Sequence, residues 1–370
     1  MDVVEVTEVP PDVAKAVMHT AEVVTVEDLT TLFTRKEKPL GYVGVEPSGL
    51  FHIGWVVWVQ KLRVLVQLGV RMELLLATWH AKINDKLGGD IEKIRKCAEY
   101  LRHCFTALGV DFRKVRIITA EDLMRRLDYW EDVIRTAKSL SLARVKRSMT
   151  IMGRNEEDAE VDFSKLIYPC MQVSDIINQK YEVCLGGMDQ RRAHVLAREV
   201  ADKLKLGWKP VGIHTPLLLG LTGASRMDVD KSITAQELTI ASKMSKSKPG
   251  DAIFIHDSPK EIMKKMRNAF CPAKQVEGNP VLGYIRHLLF SQEDFKFYIK
   301  REEKFGGKLK VDSADELDKL FAAGVIHPLD LKQAAAEAIA ELLKPVREYF
   351  EQDEEAAKLL QEVLNFKVGR

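Results

Sequence analysis

Three groups of residues carry types and spacings that could do chemistry. The first is Pro47-Ser48-Gly49-Leu50-Phe51-His52-Ile53-Gly54-Trp55, where a short apolar run gives way to helical spacing. Gly49 and Gly54 permit close backbone approach, a following helix N-terminus offers unpaired N–H groups to phosphate, and His52 can donate to a phosphate oxygen. The second is Lys243-Met244-Ser245-Lys246-Ser247-Lys248-Pro249-Gly250. Three lysines and two serines bounded by Pro and Gly read as a cationic flap, able to neutralise charge on a departing pyrophosphate. The third is Tyr168, Gln172 and Asp175, at i, i+4 and i+7 of a predicted helix and hence on one face. An aromatic ring, an amide and a carboxylate together suit an amino acid bearing an ammonium and a second polar group. Taken singly, each group has a plainer reading: a turn histidine, a solvated lysine loop, a core tyrosine and an exposed aspartate. The acid-free basic run Arg135, Lys138, Arg144, Lys146, Arg147, Arg154 is by itself a solvated helix face.

The elements that must position these groups follow from periodicity. Residues 1–40 read as a helical lead-in, 41–47 as a strand ending at Pro47, and 53–69 as a helix stopped at Gly69. Residues 72–78 and 115–119 read as strands around a helix at 91–108. This alternation implies parallel pairing in a doubly wound α/β sheet. One or two helices fill 122–153, and helices near 164–179 and 190–205 flank the strand YEVCLGG. Residues 211–223 lead into the lysine loop, and from about 255 the pattern is helical. The expected division is a lead-in and Rossmann-like domain over 1–255, with a connective insertion at about 110–150, and a helical domain over 256–370. The sequence contains no internal repeat.

Composition narrows the class. The chain has 370 residues, a formal charge of +2, 46% apolar and 30% charged residues, which excludes an intrinsically disordered chain. No uncharged apolar run reaches the ~20 residues of a membrane span, and the acidic N-terminus does not read as a signal peptide. Five cysteines, an odd count without a CxxC pair, argue against a disulfide framework or zinc site and for a reducing cytoplasm. They read as small buried hydrophobes. High charge with few Asn and Gln leans towards a heat-adapted source.

The first two groups in this order resemble the signature pair of class I aminoacyl-tRNA synthetases, with KMSKS intact and HIGH present as HIGW, Trp55 replacing the second histidine. Three further runs, Gly41-Tyr42-Val43-Gly44-Val45-Glu46-Pro47-Ser48-Gly49, Tyr168-Pro169-Cys170-Met171-Gln172-Val173-Ser174-Asp175 and Gly186-Gly187-Met188-Asp189-Gln190, are similar to archaeal and eukaryotic tyrosyl-tRNA synthetases, over about residues 25–350. The resemblance implies that Tyr42 and Asp175 bond the substrate phenol and that Tyr168, Gln172 and Gln190 hold its ammonium. It implies an ATP site of Gly44, Gly49, His52, Gly54, Met244, Ser245 and Lys246, with His52, Lys243 and Lys246 catalytic. Magnesium would ride on the ATP phosphates, without a protein metal site. Arg147 and Arg191 match contacts to the first acceptor base pair of tRNA(Tyr). Phe305, His327, Pro328, Leu329 and Asp330 match the anticodon-reading positions of a C-terminal helical domain. The resemblance further implies a cytoplasmic homodimer joined near 110–150. A site that pairs a buried hydroxyl rejects the analogue lacking it, a selectivity for which this enzyme class is the standard example, so no editing domain is needed.

Three rival readings remain. A tryptophanyl-tRNA synthetase shares the fold, but an indole N–H gives Tyr42 and Asp175 no acceptor for a second donor. A non-catalytic RNA-binding paralogue would account for Trp55 but not for an intact KMSKS. A small-molecule nucleotidyltransferase would have no need of the His327-Pro328-Leu329-Asp330 helix.

Overall fold

The computed structural model describes residues 9–35, 37–152, 162–223, 242–245 and 249–366. Its centre is a six-stranded sheet in the order β1-β6-β5-β2-β3-β4. The strands are β1 (Glu22–Val24), β2 (Leu40–Val45), β3 (Arg71–Leu76), β4 (Arg116–Thr119), β5 (Val183–Gly187) and β6 (Val211–Thr215). Strands β2 to β6 pair in parallel, with Tyr42 opposite Glu73 on one side and Cys184 on the other. β5 and β6 are buried along their whole length, as parallel strands covered on both faces must be. The chain lays β3 and β4 to one side of β2, then returns to lay β5 and β6 on the other. The carboxyl ends of β2 and β5 therefore flank the point where strand order reverses, the place where open α/β sheets bind ligands.

The helices that matter for the site are α1 (Pro11–Val17), α2 (Val26–Thr34), α3 (Ile53–Gln67), α4 (Thr78–Ile83), α5 (Ile91–Ala107), α6 (Ala120–Met124), α7 (Leu127–Ser139), α8 (Leu142–Ser148), α9 (Ser164–Gln179) and α10 (Arg191–Lys203). Gly69, at φ +90°, ends the turn after α3 as its position predicts. α9 buries Cys170, Met171, Val173, Ile176 and Ile177 and stops at Lys180, which adopts the left-handed conformation. Polar contacts lace it to α7: Thr136 Oγ1 lies 3.2 Å from Ser174 Oγ, and Asn178 donates to Asp132 at 2.9 Å.

The chain divides into two compact units. One comprises the chain up to Pro47 with Lys61–Ile91 and Asp111–Thr215, and holds the whole sheet. The other comprises Ser48–Gln60, Glu92–Val110 and the chain from Pro216. Sequence periodicity alone suggests a single cut near 250–256.

Two features depart from the periodicity. The helical lead-in contains β1, which pairs antiparallel with β6, Glu22 opposite His214. Three residues in a helix-spaced stretch carry no alternation to read, and the strand exists because β6 offers it an edge. The helical C-terminal region contains a hairpin, β7 (Phe297–Ile299) with β8 (Leu309–Val311), closed through Gly306 and Gly307 at positive φ. All five cysteines are buried, and none forms a disulfide.

Candidate active site

The predicted face of α9 forms, and each of its three polar residues meets a partner from another element. Asp175, 1% exposed, accepts a hydrogen bond from the Tyr129 hydroxyl of α7 at 2.9 Å through Oδ1. Its Oδ2 lies 3.1 Å from His80 Nε2 of α4, within ion-pair distance but off the line of a hydrogen bond. Burial drives the His80 imidazole towards the neutral form, but the Asp175 carboxylate, helped by Glu46, outweighs it and lifts the pKa above the ordinary value. The Tyr168 hydroxyl donates to Glu46 Oε1 at 2.6 Å, and the His80 ring meets the Tyr168 ring edge-on at 5.1 Å. Glu46 also accepts from Asn84 Nδ2 at 3.2 and 3.1 Å and lies 3.7 Å from Lys86. Gln172 donates through Nε2 to Gln190 at 2.9 Å, while its Oε1 is buried with no hydrogen-bond partner among the described residues.

The sheet supplies the rest. Tyr42 rises from β2, 2% exposed, its ring stacked on Tyr181 at 4.7 Å and 9°. Burial pushes its phenol well above the ordinary range, Cys184 and Asp175 adding and a Gln172 hydrogen bond opposing. Tyr181 donates to the buried Glu73 at 2.6 Å, which fixes the stack from below. Gly44 is the exposed position of β2, and a Cβ there would make only ordinary contacts, 3.5 Å to Tyr42 and 3.9 Å to Leu75. Nothing among the described residues demands its glycine.

Within the second unit each signature motif is held by backbone to another stretch of chain. His52 forms a bridge with Phe254, Ile53 N–H donates to the Ile253 carbonyl at 2.9 Å, and Ile255 N–H to the Phe51 carbonyl at 3.0 Å. Met244 N–H donates to the Leu218 carbonyl at 2.8 Å, and Lys243 bridges Leu219. A Cβ on Gly54 would come within 2.9 Å of the His52 ring, so glycine is required for the imidazole to pack over the helix start, where its Nδ1 accepts from Gly54 N–H at 3.2 Å. Gly49 has φ +111°, and its N–H points at Cys97 Sγ, 3.2 Å away. Phe51 N–H donates to Tyr100 Oη at 3.1 Å, and Tyr100 shares a proton with His256 Nε2 at 2.7 Å. Trp55 packs its indole edge-on against Phe51 at 5.1 Å. Met244 is buried and Ser245 half-buried; Lys246 lies outside the described residues, as does Arg154 of the basic run.

Arg147 is exposed in the last turn of α8, and Arg191 opens α10 paired with Glu22. In the helical region His327 caps the helix Pro328–Leu342, its Nδ1 accepting from Leu329 N–H, with Asp330 in the first turn. Phe305 is 62% exposed, unusual for a free-standing ring. Arg301 joins the two segments by donating to the carbonyls of Gly306, Gly307 and Val325.

The sequence reading missed Tyr129, His80, Glu46 and Arg301. Glu46 lies inside a quoted motif, and that proximity was its only signal. His80, in Thr78-Trp79-His80, has none beyond a strand end.

Comparison with known proteins accords with this arrangement. The sequence pattern of tRNA synthetases class I (W and Y) matches residues 34–344. The chain belongs to that class of enzymes. A tyrosine–tRNA ligase of Sulfurisphaera tokodaii is 48% identical over 93% of this chain and 94% of its own. The tyrosyl-tRNA synthetase of Pyrococcus horikoshii, solved in complex with L-tyrosine, superposes with a TM-score of 0.88 at 41% identity, covering 95% of this chain and 99% of its own. That of Aeropyrum pernix gives 0.83 at 44%, covering 95% and 98%. Within the class, the activity is that of a tyrosine–tRNA ligase, with ATP as a substrate.

Proposed function

We propose that the reaction runs in two steps divided among the residues above. L-tyrosine attacks the α-phosphate of ATP, giving tyrosyl-adenylate and pyrophosphate; the tyrosyl group then passes to the terminal ribose of tRNA(Tyr). The tyrosine carboxylate is already a nucleophile, so activation needs no protein base. Catalysis consists of holding two reactants in line and stabilising charge on the phosphates. His52, Lys243 and Lys246 do the latter, with magnesium carried by the ATP phosphates. Gly44, Gly49, Gly54, Met244 and Ser245 shape the ATP approach.

Tyr42 and Asp175 bond the phenol. A carboxylate offers about four acceptor positions, and the Tyr129 hydroxyl and His80 leave room for a substrate O–H. Tyr168, Gln172 and Gln190 hold the ammonium. The observation that carries this reading is the orphaned Gln172 Oε1 on the α9 face. A buried acceptor without a partner costs about 1–3 kcal/mol, which a substrate N–H recovers. The test is ligand binding by calorimetry. L-tyrosine binds the wild type far more tightly than its desamino analogue 3-(4-hydroxyphenyl)propionate, and Gln172→Leu narrows that gap. An unchanged gap removes Gln172 from the ammonium site.

For tRNA, Arg147 and Arg191 meet the acceptor stem, while Phe305, His327, Pro328 and Asp330 read the anticodon by stacking and edge recognition. By function the chain divides at about 255, catalytic part before and anticodon-recognition part after. A homodimer through the helices of 110–150 is supported by exposed Leu127, Ile134 and Leu142 on α7 and α8. No described helix is long and apolar enough to cross a membrane, and the setting we propose is the cytoplasm.

A further inference from the structure

Two arginines two turns apart on one face of α10, Arg191 and Arg198, both reach the lead-in segment, and they do so differently. Arg198, 17% exposed, spends its guanidinium on protein. Nη1 donates to the carbonyls of Val24 (3.3 Å) and Pro210 (2.8 Å), and Nη2 pairs with Asp28 at 2.7 Å. It is a structural tie. Arg191, 37% exposed, donates only through Nε, to Glu22 Oε2 at 2.6 Å. Its two terminal amino groups have no protein partner among the described residues.

Glu22 is itself firmly held. Its strand β1 is anchored on one side by Ala21 N–H donating to the His214 carbonyl at 2.8 Å. Ahead of it, the buried Lys61 ammonium donates to the Ala16 and Met18 carbonyls at the end of α1. Beneath the carboxylate, His214 Nδ1 lies 3.3 Å from Oε2, and His214 Nε2 lies 3.0 Å from His194 Nδ1. Burial keeps both imidazoles neutral; burial also works to raise the Glu22 carboxyl, but the Arg191 hydrogen bond and charge outweigh it and hold the carboxyl below its ordinary range. Two glycines make room for this floor. A Cβ on Gly212 would come within 2.8 Å of the His214 ring, and one on Gly186 within 2.9 Å of Gln190 and 3.3 Å of His194. The floor thus ends beside Gln190, the neighbour of Arg191.

We infer that Glu22 is a positioning residue that fixes Arg191, leaving its two outer amino groups aimed as a fork for acceptor-stem oxygens or base edges of tRNA. A guanidinium held at Nε loses little further freedom when its fork engages an RNA acceptor. The inference rests on the reading of Arg191 as an acceptor-stem contact, and it assigns the lead-in strand a task in RNA recognition.

The test is a double-mutant cycle on aminoacylation of tRNA(Tyr) by the full-length enzyme, with tyrosine-dependent ATP–pyrophosphate exchange run alongside. Glu22→Ala raises KM for tRNA about tenfold, the scale of one lost charge-assisted contact, and leaves exchange unchanged. Glu22→Gln, which keeps an acceptor for Nε, recovers part of that loss. Glu22→Ala in the Arg191→Ala background adds nothing further. If Arg191→Ala raises KM while Glu22→Ala does not, the inference falls and the Arg191 reading stands. If Arg191→Ala has no effect, the Arg191 reading falls. Additive effects, or a Glu22→Ala loss shared equally by exchange, overturn the positioning role.

Discussion

The α9 face and the signature-motif segment are organised by different means. On α9 the organisation is by side chains: Asp175, Tyr168 and Gln172 each engage a partner from a different stretch of chain, Tyr129 and His80, Glu46, and Gln190. In the motif segment the organisation is mainly backbone: a bridge between 51–53 and 253–255, glycines at 49 and 54, and a tyrosine hydroxyl on the Phe51 amide. The contrast suits the ligands we propose for each. A phenol and an ammonium differ from competitors by single polar atoms, which fixed side chains can test. Phosphates are alike in every nucleotide and need donors close by, which bare backbone supplies.

The difference can be broken first at its strongest points. Lys246→Ala should slow adenylate formation about 100- to 1,000-fold while tyrosine binding changes little, the size of one lost transition-state contact. Pre-steady-state kinetics checks this, and a normal rate removes the lysine from the chemistry. Asp175→Asn should lower kcat/KM for tyrosine about 100-fold, because His80 loses its counter-charge and the proposed phenol site keeps only a neutral amide acceptor. Steady-state exchange measures it.

A smaller effect sharpens the comparison. Tyr100→Phe removes the acceptor of the Phe51 amide and should reduce the adenylation rate about five- to tenfold without raising KM for tyrosine. An equal rise in tyrosine KM would mean the two regions are not separable. Asp330→Ala should relax discrimination at the first anticodon base, read from charging of anticodon variants.

The last effect is on stability rather than activity. His256 is half-buried, but its Nδ1 is buried with no hydrogen-bond partner among the described residues, and burial lowers its pKa to about 3. The unfolded chain, with its histidine near 6.5, therefore binds the proton first as pH falls. The stability this group contributes is complete above about 6.5 and declines by about 1.4 kcal/mol per pH unit down to about 3. His256→Asn should flatten the pH dependence of the unfolding free energy, measured by urea titration, by about that slope.

Much of this was legible from residues alone. The doubly wound sheet followed from strand–helix alternation, and the α9 face from i, i+4, i+7 spacing, because both are local periodicities. Glu22, His80 and Tyr129 escaped notice for the opposite reason. Each acts through a partner far along the chain, and neither a three-residue edge strand nor a single histidine leaves a period to detect. Arg301 likewise looks like any surface arginine until its three carbonyl partners are seen.

The central claim is that buried polar groups around α9 choose the amino acid. Amino-acid-dependent ATP–pyrophosphate exchange tests it most directly, with tyrosine, phenylalanine and tryptophan offered to the wild-type enzyme. Strong exchange with tyrosine and none above background with the other two is the predicted result. Comparable exchange with phenylalanine would contradict it.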